Sequence, residues 1–159
     1  MGFGFGALLI LTAAMVFRGF KGLSDQLVRL QSETYRFLGG DLGWPAIVAI
    51  SLIAGISEEV SLRGGLQTLL GDHVGAPAAI VIASALFAAL HLTKPLITML
   101  LFGIGLIFGA VYWYTGSLLG VIIAHVLYDI WALRYLTREM HRLGLFDEPA
   151  PLANSAAPG

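Results

Sequence analysis

Within one of the most apolar runs of the chain stand Glu58, Glu59 and Arg63; on later apolar runs stand His91 and the pair His125 and Asp129. Ionisable side chains inside a hydrophobic span are costly unless they pair or face a wet cavity, so by default they mark a functional site. Glu59 and Arg63 are four residues apart, as are His125 and Asp129, so each pair shares one helix face. Glu58 is turned about 100° from Glu59, which leaves it free to meet imidazoles across a cavity. Three helices carrying such groups bury them at lower cost if the groups converge, so they are expected to line one cavity. Two histidines and a glutamate suffice for hydrolysis: the carboxylate takes a proton from water, one imidazole positions the water or binds a metal, and the other stabilises an oxyanion. The same donors, Glu58, His91 and His125, would suit a zinc ion with an open position. There is no His-Glu-x-x-His helix and no Gly-x-Ser-x-Gly elbow, so the common zinc-protease and serine-hydrolase motifs are absent.

The elements that must position these residues are membrane spans. The chain has 159 residues, 57% hydrophobic and 12% charged, with a mean hydropathy of +0.83, which is not the composition of a soluble globule. A net charge of -1 and the lack of a basic stripe argue against a nucleic-acid partner. The absence of cysteine excludes disulfides, thiolate metal sites and a thiol nucleophile. The start of the chain lacks the basic region of a secretory signal and reads as a retained membrane segment.

Hydropathy predicts an all-α polytopic bundle of about five spans: residues 2–17, 42–70, 76–92, 96–114 and 117–133. Between the first two, Leu23, Leu27 and Leu30 recur at helical spacing among charged residues, predicting an amphipathic interfacial helix capped by Ser24 or Asp25 and ended by Gly39-Gly40-Asp41. Gly71-Asp72-His73 is expected to end the second span. Residues 1–146 read as one membrane-embedded domain, and 147–159 as a disordered tail. Gly105/Gly109 and Gly116/Gly120, pairs four apart, read as close-packing sites between helices.

Five spans place Arg18, Lys21, Arg29, Arg36, Lys94, Arg134, Arg138 and Arg142 on one side, which predicts a cytoplasmic C-terminus and an outside N-terminus. Trp44, Tyr35, Trp131 and Tyr135 then fall near the cytoplasmic interface. On an upright arrangement Glu58, about 21 Å along its helix from Trp44, misses His91, which lies near its own helix end. Tilt of the long second span, or protrusion of its first turns, is expected to bring them together in a cavity open to the cytoplasm. His73 and His141, in a loop and a basic tail, are assigned no role.

Glu58-Glu59-x-x-x-Arg63, Phe87-x-x-x-His91 and His125-x-x-x-Asp129, in that order on successive apolar segments, resemble the three motifs of the CPBP family. That family comprises CaaX-type prenyl endopeptidases and bacteriocin-processing or self-immunity (Abi) proteins. The resemblance covers roughly residues 44–135. Gly64 fits the family's Arg-Gly continuation, while Leu62 stands where Phe is common. It implies an intramembrane endopeptidase in a bacterial or archaeal plasma membrane, acting on a membrane-anchored peptide or protein that is prenylated or of bacteriocin type. Glu58 would activate water, His91 would hold that water or a metal, Glu59 would pair with Arg63, and His125 with Asp129 would form the oxyanion or ligand side. Asparagine is a frequent alternative at the last position, and an ionised Asp129 cannot donate to an oxyanion as an amide can, so Asp129 is expected to be protonated, to orient His125 or to help bind a metal. Catalysis is then either zinc-assisted or metal-independent. The alternatives are a non-proteolytic bacteriocin-immunity or scaffold protein on the same fold, and a small ion-coupled transporter, disfavoured by the lack of an inverted repeat.

Overall fold

A helix satisfies the backbone of an apolar run within the run itself, as lipid requires, and the computed structural model, which describes residues 1–35 and 42–146, is helical with no strand among them. The elements are α1 (Gly2–Gly19), α2 (Lys21–Tyr35), α3 (Trp44–Glu58), a π-helix (Glu59–Gln67), α4 (Thr68–Val74), α5 (Ala76–Leu90), α6 (Pro95–Thr115) and α7 (Leu118–Arg142). Proline opens α3, α5 and α6 within their first two positions, where the missing N–H costs nothing. α3, the π-helix and α4 run on as one 31-residue rod, Trp44–Val74; with α1, α6 and α7 it is one of four helices long and apolar enough to cross a membrane. α5, at 15 residues, is the shorter fifth apolar helix. The chain is therefore an integral membrane protein.

α7 is the hub, with α1 and α3 laid along it, while α5 packs on α6 and on the π-helix. Two glycine pairs were expected to mediate close packing, and one does. At Gly105 an added Cβ would meet Ser84 Cβ of α5 at 3.0 Å, and at Gly109 it would meet the Gln67 Oε1 at 2.8 Å. Gly116 instead ends α6 in the left-handed region at φ 63° with open space around it; only Gly120 of that pair is crowded.

Three boundaries differ from the sequence reading. The second span runs through Gly71-Asp72-His73 to Val74 and stops at Gly75, whose φ of 79° suits only glycine well. α7 continues well past Leu133, because its last turns leave the apolar layer carrying His141 and Arg142 beside the negative end of the helix dipole. α2 begins at Lys21, so Ser24 and Asp25 lie inside the helix and cap nothing. Ser24 is buried there, with its hydroxyl 2.7 Å from the Tyr135 hydroxyl of α7. The expected break at Gly39-Gly40-Asp41 and the tail from residue 147 lie outside the described residues.

α2 does more than rest at an interface. Its first half is fastened to α7 by Lys21 to Glu139 at 2.6 Å and by Arg142 to Asp25, and Arg142 also bonds Glu139. The bond to Glu139 holds the Lys21 ammonium above its ordinary range. Beneath these ion pairs Val28 is buried with Leu136, Met140 and Leu145. The second half touches the α5–α6 connection through Glu33 and Lys94, 2.8 Å apart and both well exposed.

Candidate active site

The π-helix places the polar groups. Its wide i→i+5 turns are rare and recur at functional sites, and here it starts at Glu59 and carries Arg63, Gly64, Gly65 and Gln67. Arg63 and Gln67 reach across to α6: Arg63 Nη2 donates to Gly105 O at 3.1 Å and Gln67 Nε2 to Gly109 O at 2.9 Å. Because residues 105 and 109 lack side chains, these carbonyls are open to a second donor. Arg63 Nη1 donates to Glu59 Oε1 at 3.1 Å, as the spacing predicted, and both side chains are sealed from solvent at 1% and 0% exposure. The Arg63 guanidinium also lies 4.9 Å from the Phe87 ring centre and 5.9 Å from that of Phe108.

Glu59 has a second partner that spacing alone did not reveal. His125 Nδ1 stands 2.8 Å from the same Oε1. A carboxylate paired with arginine only accepts, so Nδ1 carries the proton and Nε2 faces outward. That Nε2 is 3.7 Å from Glu58 Oε2 and 3.5 Å from Asp129 Oδ2. Glu59 thus orients His125, a role the sequence reading left open to Asp129; Asp129 lies instead beside the outward nitrogen, together with Glu58. His91, the residue ending α5, is fixed in the same way, with Nδ1 2.8 Å from Phe87 O and its ring 4.8 Å from the Phe87 ring. Its Nε2 is then bare.

Glu58, His91, His125 and Asp129 line one cavity of about 390 Å³. The expected convergence on one cavity is observed for these four: Glu58 and His91, which an upright arrangement sets apart, line the same space, and the Glu58 carboxylate is 3.7 Å from the His125 imidazole. Glu59 and Arg63 sit behind that wall. The remaining walls include Ile50 and Ala54 of α3, the aliphatic side chains of α6, Tyr128 and Tyr135 with the leucines of α7, Phe17 of α1, Thr93, and one face of α2.

Gly55 permits the approach of α3 to α7. An added Cβ there would fall 2.8 Å from Val126 Cγ2 and 3.2 Å from Val126 N, next in sequence to His125 and one turn before Glu58. Gly55→Val is expected to destabilise the fold by about 1–3 kcal/mol and to lower activity by separating Glu58 from His125; thermal unfolding in detergent beside turnover per folded molecule checks both. Nothing in an apolar run marks this glycine as different from its neighbours. Gln67 did leave a signal, a polar residue four after Arg63 in the same run.

The donor types suit zinc, but as placed no group of three or more His, Asp or Glu side chains among the described residues is arranged to hold a metal ion.

A sequence model of the type II CAAX prenyl endopeptidase Rce1-like family matches residues 40–131, more than half of the chain and the stretch that holds all six polar residues of the site. Over 88 residues the chain is 35% identical to the uncharacterized protein YpbD of Bacillus subtilis (strain 168); the match takes in 54% of this chain and 42% of that protein, so the chain spans less than half of its relative's length. No solved structure matches.

Proposed function

The chain belongs to the type II CAAX prenyl endopeptidase Rce1-like family, and from that premise we propose that it is an intramembrane endopeptidase cleaving membrane-associated peptide segments, prenylated or of bacteriocin type. The observation that carries the reading is the opposition of Glu58 Oε2 to the outward Nε2 of His125, 3.7 Å apart on the wall of a cavity that also holds His91.

In the proposed reaction Glu58 accepts a proton from a water held against the bare Nε2 of His91. The water oxygen bonds to the scissile carbonyl carbon, and the oxyanion that forms is met by a protonated His125 Nε2. Glu58 then passes its proton to the amide nitrogen as the C–N bond breaks, which leaves a carboxylate and an amine. Asp129 lies 3.5 Å from the His125 Nε2. Glu59, gripped by Arg63, keeps that ring from rotating. The apolar jacket of Phe87 and Phe108 strengthens each of these interactions by excluding water.

The proposed orientation has the N-terminus outside and the C-terminus cytoplasmic, supported by the excess of lysine and arginine on one side. Zinc-assisted chemistry through Glu58, His91 and His125 is the competing route. It requires side-chain movement from the present arrangement, and metal quantitation on purified protein beside His91→Ala separates the two. Equal, near-zero metal in both supports the glutamate route, whereas a stoichiometric zinc lost in His91→Ala supports the other. The proposal is tested by cleavage of a membrane-anchored reporter, which His91→Ala is expected to reduce by about 10²–10⁴-fold and His73→Ala to leave intact. An immunity or scaffold protein would cleave nothing in any variant.

A further inference from the structure

The face of α2 turned to the cavity divides into two halves. In the first, Ser24 is bonded to Tyr135 and Val28 is packed against α7. In the second, Gln31, Thr34 and Tyr35 all line the cavity, and none has a hydrogen bond to another described residue. Gln31 and Tyr35 are half-buried and Thr34 is exposed, so one amide and two hydroxyls are accessible from the cavity and free to bond a ligand there.

Across the cavity Ile97, Leu100, Leu101 and Ile104 of α6 offer no polar group. A peptide in this space carries an N–H and a C=O on nearly every residue, and in an apolar setting each needs a partner. Apart from the catalytic cluster, the hydroxyls of Thr93, Tyr128 and Tyr135 also line the cavity, but the grouped set on one helix, Gln31, Thr34 and Tyr35, is on the second half of α2. The volume of about 390 Å³ is that of a small-ligand site. α2 also lies outside residues 40–131, the region matched by the family, so this wall is separate from the shared catalytic machinery.

We propose that α2 is the substrate-anchoring wall of the cavity, with Gln31, Thr34 and Tyr35 hydrogen-bonding the backbone of a peptide segment lying extended between α2 and α6. The proposal rests on the endopeptidase reading above. Burial, added to by the charges of Asp129 and Glu58, pushes the Tyr35 phenol up, which keeps it a neutral donor. Selection by this wall is of backbone conformation: a helical segment, its amides already bonded within itself, gains nothing from these three groups, whereas an extended one does. On that side the exposed pair of Glu33 and Lys94, 2.8 Å apart, joins α2 to the start of α6.

The absence of cysteine makes the test direct, since each introduced thiol is the only one in the protein. Gln31→Cys, Thr34→Cys and Glu33→Cys are made in a Glu58→Gln background, placed in liposomes, and reacted with a lipid-tethered decapeptide rich in valine and threonine, which favour the extended form, bearing a central bromoacetyl group. Soluble bromoacetamide corrects for intrinsic reactivity. The corrected rate at positions 31 and 34 is expected to exceed that at 33 by about tenfold, the gain of one well-placed contact. Equal corrected rates at all three overturn the proposal, and because no turnover is involved they do so whether or not the chain is a peptidase. In the Glu58-containing protein, Gln31→Leu should raise KM for a tethered reporter by about tenfold with kcat nearly unchanged, and Gln31→Asn should restore part of it. A fall in kcat at constant KM contradicts anchoring, while absence of cleavage by the unmodified protein counts against the endopeptidase reading alone.

Discussion

Arg63→Met is expected to lower the stability of the fold by about 3–5 kcal/mol, the usual cost of removing one partner of a buried ion pair. The guanidinium holds four things at once: Glu59 at 3.1 Å, the Gly105 carbonyl at 3.1 Å, and the faces of Phe87 and Phe108. Removing it leaves the Glu59 carboxylate, at 0% exposure, with only a histidine to offset its charge. The π-helix also loses one of its two bonds to α6. Arg63→Lys should recover little, since an ammonium cannot bond Glu59 and Gly105 in a planar fork while stacking on Phe87. Chemical unfolding in mixed micelles, followed by tryptophan fluorescence, checks both variants; a shift below about 1 kcal/mol in Arg63→Met would mean that the pair is dispensable to the fold.

The opposite pattern is expected of its neighbour. Glu58→Gln should unfold within about 0.5 kcal/mol of the unmodified protein, because its side chain is 30% exposed and its nearest ionic contact, to His125, is 3.7 Å long. Cleavage should fall by at least about 10²–10⁴-fold, the range of general-base catalysis. An amide of the same shape keeps the cavity but cannot take a proton from water. Glu59→Gln, by contrast, should fail in stability first: it neutralises the buried carboxylate that Arg63 and the Nδ1 of His125 both address. Two adjacent glutamates thus give separable defects, one chemical and one structural. Unfolding curves and turnover per folded molecule, measured on the same preparations, display the difference.

The identity of the polar set was legible because charge in an apolar run has few explanations, and the spacing of Glu59 and Arg63 on a helix gave their pairing. The spans were legible from hydropathy. What hydropathy does not carry is the pitch of the turn. An apolar run looks the same whether its hydrogen bonds close over four or five residues, so the π-helix at Glu59–Gln67 and its two bonds to α6 were hidden. Pairing across helices was hidden for a related reason. The spacing of His125 to Asp129 suggested a partner on the same helix, but the nitrogen that sets the ring meets Glu59 from another. The amphipathic pattern of α2 has the period of an interfacial helix and of a helix walling a cavity alike. Only its unbonded Gln31, Thr34 and Tyr35 facing the site distinguish the two.

The central claim, that Glu58 is the carboxylate activating water in an otherwise intact site, is tested most directly by one rate comparison. Purified protein and Glu58→Gln are reconstituted in liposomes with a membrane-anchored peptide reporter, and cleavage is measured per folded molecule. The account predicts clear turnover by the first and loss of at least about a hundredfold in the second. Turnover by Glu58→Gln within a few fold of the unmodified protein would contradict it.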